Sequence, residues 1–467
     1  MSYQIAAIEA ACLGLAGIRH RRSTGHGQRI DVSLQEALTF ANVQSVARYS
    51  QRSEIVKRPG KEGGAFNVYR CKDGKYVFLA IYFAAHWHQL TRDWMNDPVL
   101  SAPEWDVGQY RTDNVDVVQM IIGEFVARFD ASKFIEEAQR RGLACTPVND
   151  LAGFVGSAHM RERNWFQVVD HPVVGRYEAP GPPVILSRTP YRIARPAPSL
   201  DQHRAEILSE DAVPLSDRSS RVPAKDDDAA SPMLAGIRVA DITRVFVGPI
   251  GTQMLAFYGA EVVKVESADL PANRDPWRAI YPDMNRNKRS CTIDLRKADG
   301  KDLFKRLVDK SDIVIDNFSS GVMRRLGVGF DELSAHRPDI IQISMPGLGS
   351  SGPESGWVTY GNSLQAYTGL VHLWGHPESP MEAHAKGTLP DYVGAAFMAL
   401  AAVAAIEHRD RTGEGQAIEV CMVDGQGALL GPAILDYTIN GRSWGPIGYE
   451  EPLTRDLSPY GCYPCLN

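Results

Sequence analysis

The sequence predicts an α/β protein, with a large domain on a doubly wound, mostly parallel sheet and a smaller α+β domain. Three observations predict it. Between residues 237 and 344, short β-branched runs alternate with helical stretches, the order that yields a parallel sheet with helices on its faces. From Tyr392 to Ile406 the chain carries no charge and is dominated by small residues, so this helix is apolar all round and should be buried. Around Asp73-Gly74, two strand-like runs at 67–70 and 75–81 form a hairpin, the opening of the smaller domain.

The bulk numbers narrow the function. The 467 residues are 44% hydrophobic and 23% charged, ordinary for a soluble globular protein of two or three domains. A net charge of -6 argues against a general nucleic-acid binder. The run 392–406 is too short and too poor in Leu and Ile for a membrane span. Met1-Ser2-Tyr3-Gln4-Ile5 lacks the basic start of a signal peptide, and Glu9 interrupts the apolar run. Seven scattered cysteines suggest a reducing compartment, so a cytoplasmic location is expected.

In chain order, residues 1–58 read as two helices joined by a Gly turn and a short strand, the end of a truncated large domain. Residues 59–170 form the small α+β domain, a hairpin followed by helices near 84–95, 115–129 and 131–141. Residues 171–208, rich in proline, should be extended and wrapping. Residues 209–232 are a polar linker with Lys225-Asp226-Asp227-Asp228. The large domain follows over 233–440, with strands at 237–241, 261–265, 313–315 and 339–344, and 441–467 opens a second small domain.

A repeat runs across this order. Arg22-Ser23-Thr24-Gly25-His26-Gly27-Gln28-Arg29-Ile30-Asp31-Val32 matches Asp410-Arg411-Thr412-Gly413-Glu414-Gly415-Gln416-Ala417-Ile418-Glu419-Val420, with Thr24 and Thr412 388 residues apart. Each copy follows an Ala-rich helix ending in His-Arg. A weaker echo pairs Cys71 with Cys465. Such a period is the length of a whole protein rather than a solenoid unit. The chain therefore holds one period plus an overlap.

Asp391 sits at the mouth of the apolar helix, after Pro390. A helix N-cap or first-turn acid belongs there, because the macrodipole favours a carboxylate. The same carboxylate at the edge of a buried helix can be a nucleophile. The residues alone leave both readings open. The repeat mate of Asp391 is Tyr3, so the first copy has no acid at this place.

Residues 233–467 resemble the N-terminal half of a class III CoA-transferase, the CaiB/BaiF family. The resemblance rests on an ordered series: Leu234-Ala235-Gly236-Ile237-Arg238-Val239, Gly248-Pro249, Gly259-Ala260-Glu261-Val262-Val263-Lys264-Val265-Glu266, Asn285-Arg286-Asn287-Lys288-Arg289-Ser290, Asp316-Asn317-Phe318, Arg325-Leu326-Gly327 and Arg411-Thr412-Gly413-Glu414-Gly415-Gln416. Residues 1–207 are similar to the family's C-terminal half, so the halves come in reversed order. A fragment of a tandem fusion of two units, a truncated reading of such a fusion and a circular permutant all give that order, and the overlap favours the first two.

The resemblance implies a Rossmann-like large domain in an interlocking dimer, here a homodimer or an intramolecular pseudo-dimer. It implies transfer of CoA from an acyl-CoA to a free carboxylic acid through an aspartyl-CoA thioester on Asp391. CoA and acyl-CoA are substrates, with no permanently bound cofactor and no metal. Val245, Ile293, Arg296, Asn317, Phe318 and Arg325 fall at CoA-binding positions of the family. For Val245, Ile293 and Phe318 plain core packing is the competing reading, and Arg325 could equally be a solvated charge. Ser267 stands where some members carry a CoA-contacting Arg, with Arg274 nearby. Gly60, Gly63 and Gly64 resemble the family's loop that closes on the intermediate, or form an ordinary turn.

Other motifs point elsewhere and are weaker. Gly347-Leu348-Gly349-Ser350-Ser351-Gly352 spells a dinucleotide fingerprint, but Pro353 and Gly356 follow where a helix is required. Cys462-Tyr463-Pro464-Cys465 lacks the helix of a redox motif. His86-Trp87-His88 has no third ligand at a recognisable spacing. A racemase of the same fold would use a His where Thr359-Tyr360-Gly361-Asn362 stands, and without it two-base proton transfer lacks a partner. An inactive CoA-binding fragment is the remaining alternative.

Overall fold

The computed structural model describes residues 2–40, 49, 50, 53, 55, 66–210, 231–267, 280–384, 387, 389–446 and 465. Two compact units form. One comprises Met1–Val56, Gln167–Ser350 and Asp391–Leu429, the other Lys57–Phe166, Ser351–Pro390 and Leu430–Asn467. Each draws on chain from both sides of the polar linker.

The smaller unit is built on an antiparallel sheet of β1 (Phe66–Arg70), β2 (Tyr76–Ala80) and β3 (Ala144–Pro147). Phe66 faces Ala80 and Arg70 faces Tyr76, so the expected hairpin turns at Asp73-Gly74, where Gly74 takes φ 78°. The helix Val115–Val126 presents Val115, Val118, Ile122 and Phe125 at a spacing of three and four, the apolar stripe of a core-facing helix. Val118, Ile122 and Phe125 pack with Trp87, Leu90 and Phe134. The helix expected near 84–95 forms as Ala84–His88 and then widens into a π turn at Gln89–Trp94. His88 is occupied by Asp106 at 2.8 Å, a structural role for that histidine.

The sequence segments place 351–390 with the large domain; the structure groups them with the small one. The reason is local. The helix Gly361–Tyr367 is buried along its whole length. Thr146 Oγ1 in β3 donates to the Ser363 carbonyl at 2.8 Å, and Asn149 Nδ2 donates to the Tyr367 carbonyl at 2.7 Å.

The larger unit opens with α1 (Ser2–Thr24). The short strand expected after it does not form: residues 26–33 take no regular secondary structure. The repeat copy of that segment is a strand because two others flank it; no described strand lies beside 29–32. The proline-rich return segment is more ordered than expected. It starts as a hairpin of β4 (Gln167–His171) and β5 (Gly175–Ala179), then sends β6 (Ile185–Leu186) antiparallel to the sheet edge.

Among the described residues that sheet has seven strands, in the order β6-β12-β11-β10-β7-β8-β9. The new members are β7 (Arg238–Asp241), β8 (Glu261–Glu266), β9 (Lys288–Thr292), β10 (Ile313–Asp316), β11 (Ile341–Ser344) and β12 (Ala417–Glu419). Strands β7 to β12 are mutually parallel and only β6 runs the other way. The chain builds β7, β8 and β9 outwards, then crosses back and builds β10, β11 and β12 on the other side. The reversal makes β7 and β10 neighbours and opens a crevice beyond their carboxyl ends. Ile313, Val314 and Ile315 are completely buried at the centre. β9 escaped the sequence reading because Lys-Arg-Ser-Cys-Thr carries no apolar run, and it is a half-exposed edge.

Three helices frame the crevice side. They are α2 (Val247–Phe257) after β7, α3 (Leu389–Thr412) before β12, and α4 (Met422–Leu429) after β12. Among the described residues α3 alone is long and apolar enough to cross a membrane, and 83% of its most apolar stretch is buried inside the protein.

Candidate active site

Asp391 lies in the first turn of α3 rather than ahead of it. The Asp391 residue is 6% exposed. Burial pushes its carboxyl up to about 7, against the pull of its own backbone hydrogen bond. Among the described residues no cationic side chain lies within ion-pair distance of Asp391, so the helix N-terminus is its main electrostatic support.

Glycines bring the helices around it close together. A Cβ on Gly394 would stand 3.1 Å from Val247 Cγ2 and 3.6 Å from Met422 Cγ. A Cβ on Gly251 would stand 3.2 Å from the Ala395 carbonyl oxygen. Small residues on α2 and α3 therefore set how near α2 and α4 approach the Asp391 end of α3. The Tyr392 ring meets Phe246 edge-on, centroids 5.6 Å apart, tying the start of α3 to the loop after β7.

That loop carries the first predicted CoA contact. Val245 has φ 61°, a left-handed backbone that a β-branched residue rarely adopts, and it is 43% exposed. The strain is held by a clamp across the crevice. Asn317 Oδ1 accepts from the Arg244 N–H and Asn317 Nδ2 donates to the Arg244 carbonyl, both at 2.7 Å. The Arg244 guanidinium sits 5.3 Å above the Phe318 ring. Burial lowers the Arg244 pKa, and the charge of Arg296 lowers it further, so the two cations share one region.

Ile293 and Phe318 both pack against the core beneath the crevice, so part of each side chain serves packing. Arg296 is exposed and forks onto Asp294, Nε at 2.8 Å and Nη2 at 2.9 Å. Arg325 ends the short helix Val322–Arg325, exposed, with no carboxylate in ion-pair range among the described residues. Five of the six predicted residues lie on loops that leave the carboxyl ends of β7, β9 and β10, and Arg325 ends the short helix that follows β10. Gly60, Gly63, Gly64 and Arg274 lie outside the described residues.

The model of CoA-transferase family III matches residues 1–204 and 234–467. The chain belongs to that family. The probable CoA-transferase Rv1866 of Mycobacterium tuberculosis is 27% identical over 440 residues, which cover 90% of this chain and 54% of that protein. The succinyl-CoA--D-citramalate CoA-transferase of Chloroflexus aurantiacus is 34% identical over 242 residues, 50% of this chain and 58% of that one. A crystal structure of a CaiB/BaiF family protein from Brucella suis is 31% identical, with TM-score 0.45, covering 47% of this chain and 61% of that chain. The family III chain spans between about half and three fifths of the length of these relatives.

Sequence reasoning missed an ionic cluster at the end of β7. Asp241, at the end of β7, is completely buried. It meets Lys288 Nζ at 3.2 Å and Lys264 Nζ at 3.5 Å. It also accepts from Thr243 Oγ1 at 2.5 Å and Thr252 Oγ1 at 2.7 Å. Burial alone would raise the Asp241 carboxyl; the two lysines, then the two threonines, hold it below the ordinary carboxylate range. Burial lowers Lys288 to about 8, with Asp241 opposing. This set ties β7, β8, β9 and α2 together beneath Arg244 and Val245. The available signal was Lys264 within the valine run of β8, since a lysine buried there demands a partner.

The loop at 347–352 opens no helix, and the next begins at Gly361. It is tied to the end of β12, where Glu419 accepts from the Ser350 N–H at 2.9 Å and the Cys421 thiol reaches the Gly347 carbonyl at 3.5 Å. Glu419, Cys421 and Asp424 hold ligand-capable atoms within 4.8 Å of one another, and the loop already occupies two of them.

Proposed function

We propose that the chain carries the nucleophile of a CoA-transferase that moves CoA from an acyl-CoA to a free carboxylic acid. An Asp391 oxygen attacks the thioester carbonyl, the C–S bond breaks, and CoA leaves as thiolate. The resulting acyl-aspartyl anhydride is attacked at the Asp391 carbonyl by that thiolate, which releases the donor's acyl group as a carboxylate. Asp391 then holds CoA as a thioester. The acceptor carboxylate repeats the two steps in reverse and departs as the new acyl-CoA, restoring the Asp391 carboxylate.

The observation that carries this reading is a carboxyl 6% exposed, at a helix N-terminus, in a chain of this family. Both covalent intermediates hydrolyse in water, so a nucleophile withdrawn from solvent suits them. A carboxyl near 7 is more basic than an ordinary one and still substantially ionised at neutral pH. Val245, Ile293, Asn317, Phe318, Arg296 and Arg325 are assigned to the CoA molecule, the arginines to its phosphates. Relatives act on succinyl-CoA with citramalate and on succinate with glutarate. A short dicarboxylic acyl group is the substrate class this supports. A pseudo-dimer of the two repeat copies, and action in the cytoplasm, complete the proposal.

The test is intact-mass analysis after incubation with succinyl-CoA. The expected result is a CoA adduct on Asp391 that hydroxylamine removes, absent from Asp391→Asn, whose turnover falls by at least about a thousandfold. Unchanged turnover in Asp391→Asn overturns the assignment.

A further inference from the structure

By the 388-residue repeat, Arg19 on α1 corresponds to Glu407 on α3, and Arg22 corresponds to Asp410. In the structure Arg19 Nε donates to Asp410 Oδ2 at 3.0 Å, while Arg22 pairs with Glu407 Oε1. Each arginine thus meets the repeat mate of the other. That reciprocity is the mark of a two-fold contact between equivalent surfaces. Here the two surfaces carry opposite charge: two arginines on the first copy, two acids on the second.

We propose that the C-terminal ends of α1 and α3 form a charge code that pairs a first-copy helix with a second-copy helix. A pairing of two α3-type ends would set Glu407 against Asp410. A pairing of two α1-type ends would set Arg19 against Arg22. Like charges in those places disfavour both symmetric pairings. Only the mixed pairing satisfies all four groups. The partner that fits the α1 end is therefore an α3-type helix bearing this acidic pair, supplied here by the same chain. Arg19 and Glu407 side chains are 17% and 14% exposed, which limits solvent screening at one end of each pair. Arg409 Nη2 also donates to Asp410 Oδ1 at 3.1 Å and helps aim that carboxylate at α1. This inference does not depend on the chemistry of Asp391.

The test is charge reversal in the full chain. Arg19→Glu with Arg22→Glu, and separately Glu407→Arg with Asp410→Arg, should each lower the thermal midpoint by about 3–6 °C at low salt. The losses should shrink in 0.5 M salt. The variant with all four reversals restores opposite charge and should recover most of the loss. A fourfold variant whose loss equals the sum of the two one-sided losses overturns the proposal. Should reversal prevent folding, a cycle of neutral variants, Arg19→Gln with Arg22→Gln against Glu407→Gln with Asp410→Gln, decides it. A non-additive midpoint supports the code and strict additivity overturns it.

Discussion

Asp391 is a carboxyl held far from its ordinary value of 3.8, and the shift has a sign that can be checked. Its raised folded-state pKa means the folded protein keeps a proton that the unfolded chain releases between about pH 4 and 7. Stability contributed by the neutral form is therefore full at low pH and lost as pH rises through 7. Two outcomes follow for one residue. Under the proposed mechanism, adduct formation with acyl-CoA should rise with pH to half its plateau near pH 7, because there only the carboxylate would attack. Asp391→Asn should be more heat-stable than the parent at pH 8.5, by roughly 2–6 °C, and gain much less at pH 5. Calorimetry at the two pH values checks it; an equal gain at both would show that the native carboxyl is not strained by burial. The position of Asp391 was legible because Pro390 and the chargeless run mark a buried helix start. Arg244 and Lys288 were not legible as site residues. Their roles come from strands far apart in sequence that the sheet order brings together.

At the scale of elements, helix approach is set where side chains stop. Gly251 and Gly14 make a controlled pair. A methyl on Gly251 would overlap Met398 Cε, which can swing aside, but also meet Ala395 backbone at 3.2 and 3.3 Å, which cannot. Gly251→Ala should cost about 1–3 kcal/mol by pushing α2 off α3, and lower turnover with it. Gly14, within α1, has no described neighbour within 4 Å, so Gly14→Ala should stabilise by about 0.5–1 kcal/mol. Urea titrations of the two variants report both signs; a stabilised Gly251→Ala would mean the two helices are not in limiting contact. Element types were largely legible, since alternating apolar runs and helical stretches announce a parallel sheet. The failures were β9, a polar edge strand with no apolar run, and the absent strand after α1. A strand is a pairing, and the segment 29–32 has no described neighbour to pair with.

At the scale of the molecule, both compact units mix chain from before and after the polar linker. Within the larger unit, β6 pairs with β12, Tyr258 donates to Glu9 at 3.1 Å, and Arg19 holds Asp410. A chain carrying a specific protease site between residues 215 and 225 should therefore stay together after cleavage. Its two fragments are expected to co-elute in size exclusion at physiological salt and melt in one transition. Separation of the fragments would show that these contacts do not hold the halves together. The overall class was legible from repeat and alternation together. The exchange of 351–390 into the smaller unit was not, because no composition shift marks it. It follows from backbone carbonyls of 363 and 367 meeting side chains of 146 and 149.

The strand Ile185–Leu186 leaves the ribosome early, and its partner Ala417–Glu419 leaves late. Until then, among the described strands, none closes that flank of the sheet, since the others lie on the inner side of the gap. Loop closure over so long a stretch is slow compared with local folding. Synthesis thus passes through a long interval with an open, sticky β ridge, and the nascent protein should lean on chaperones during that interval more than its native stability would suggest.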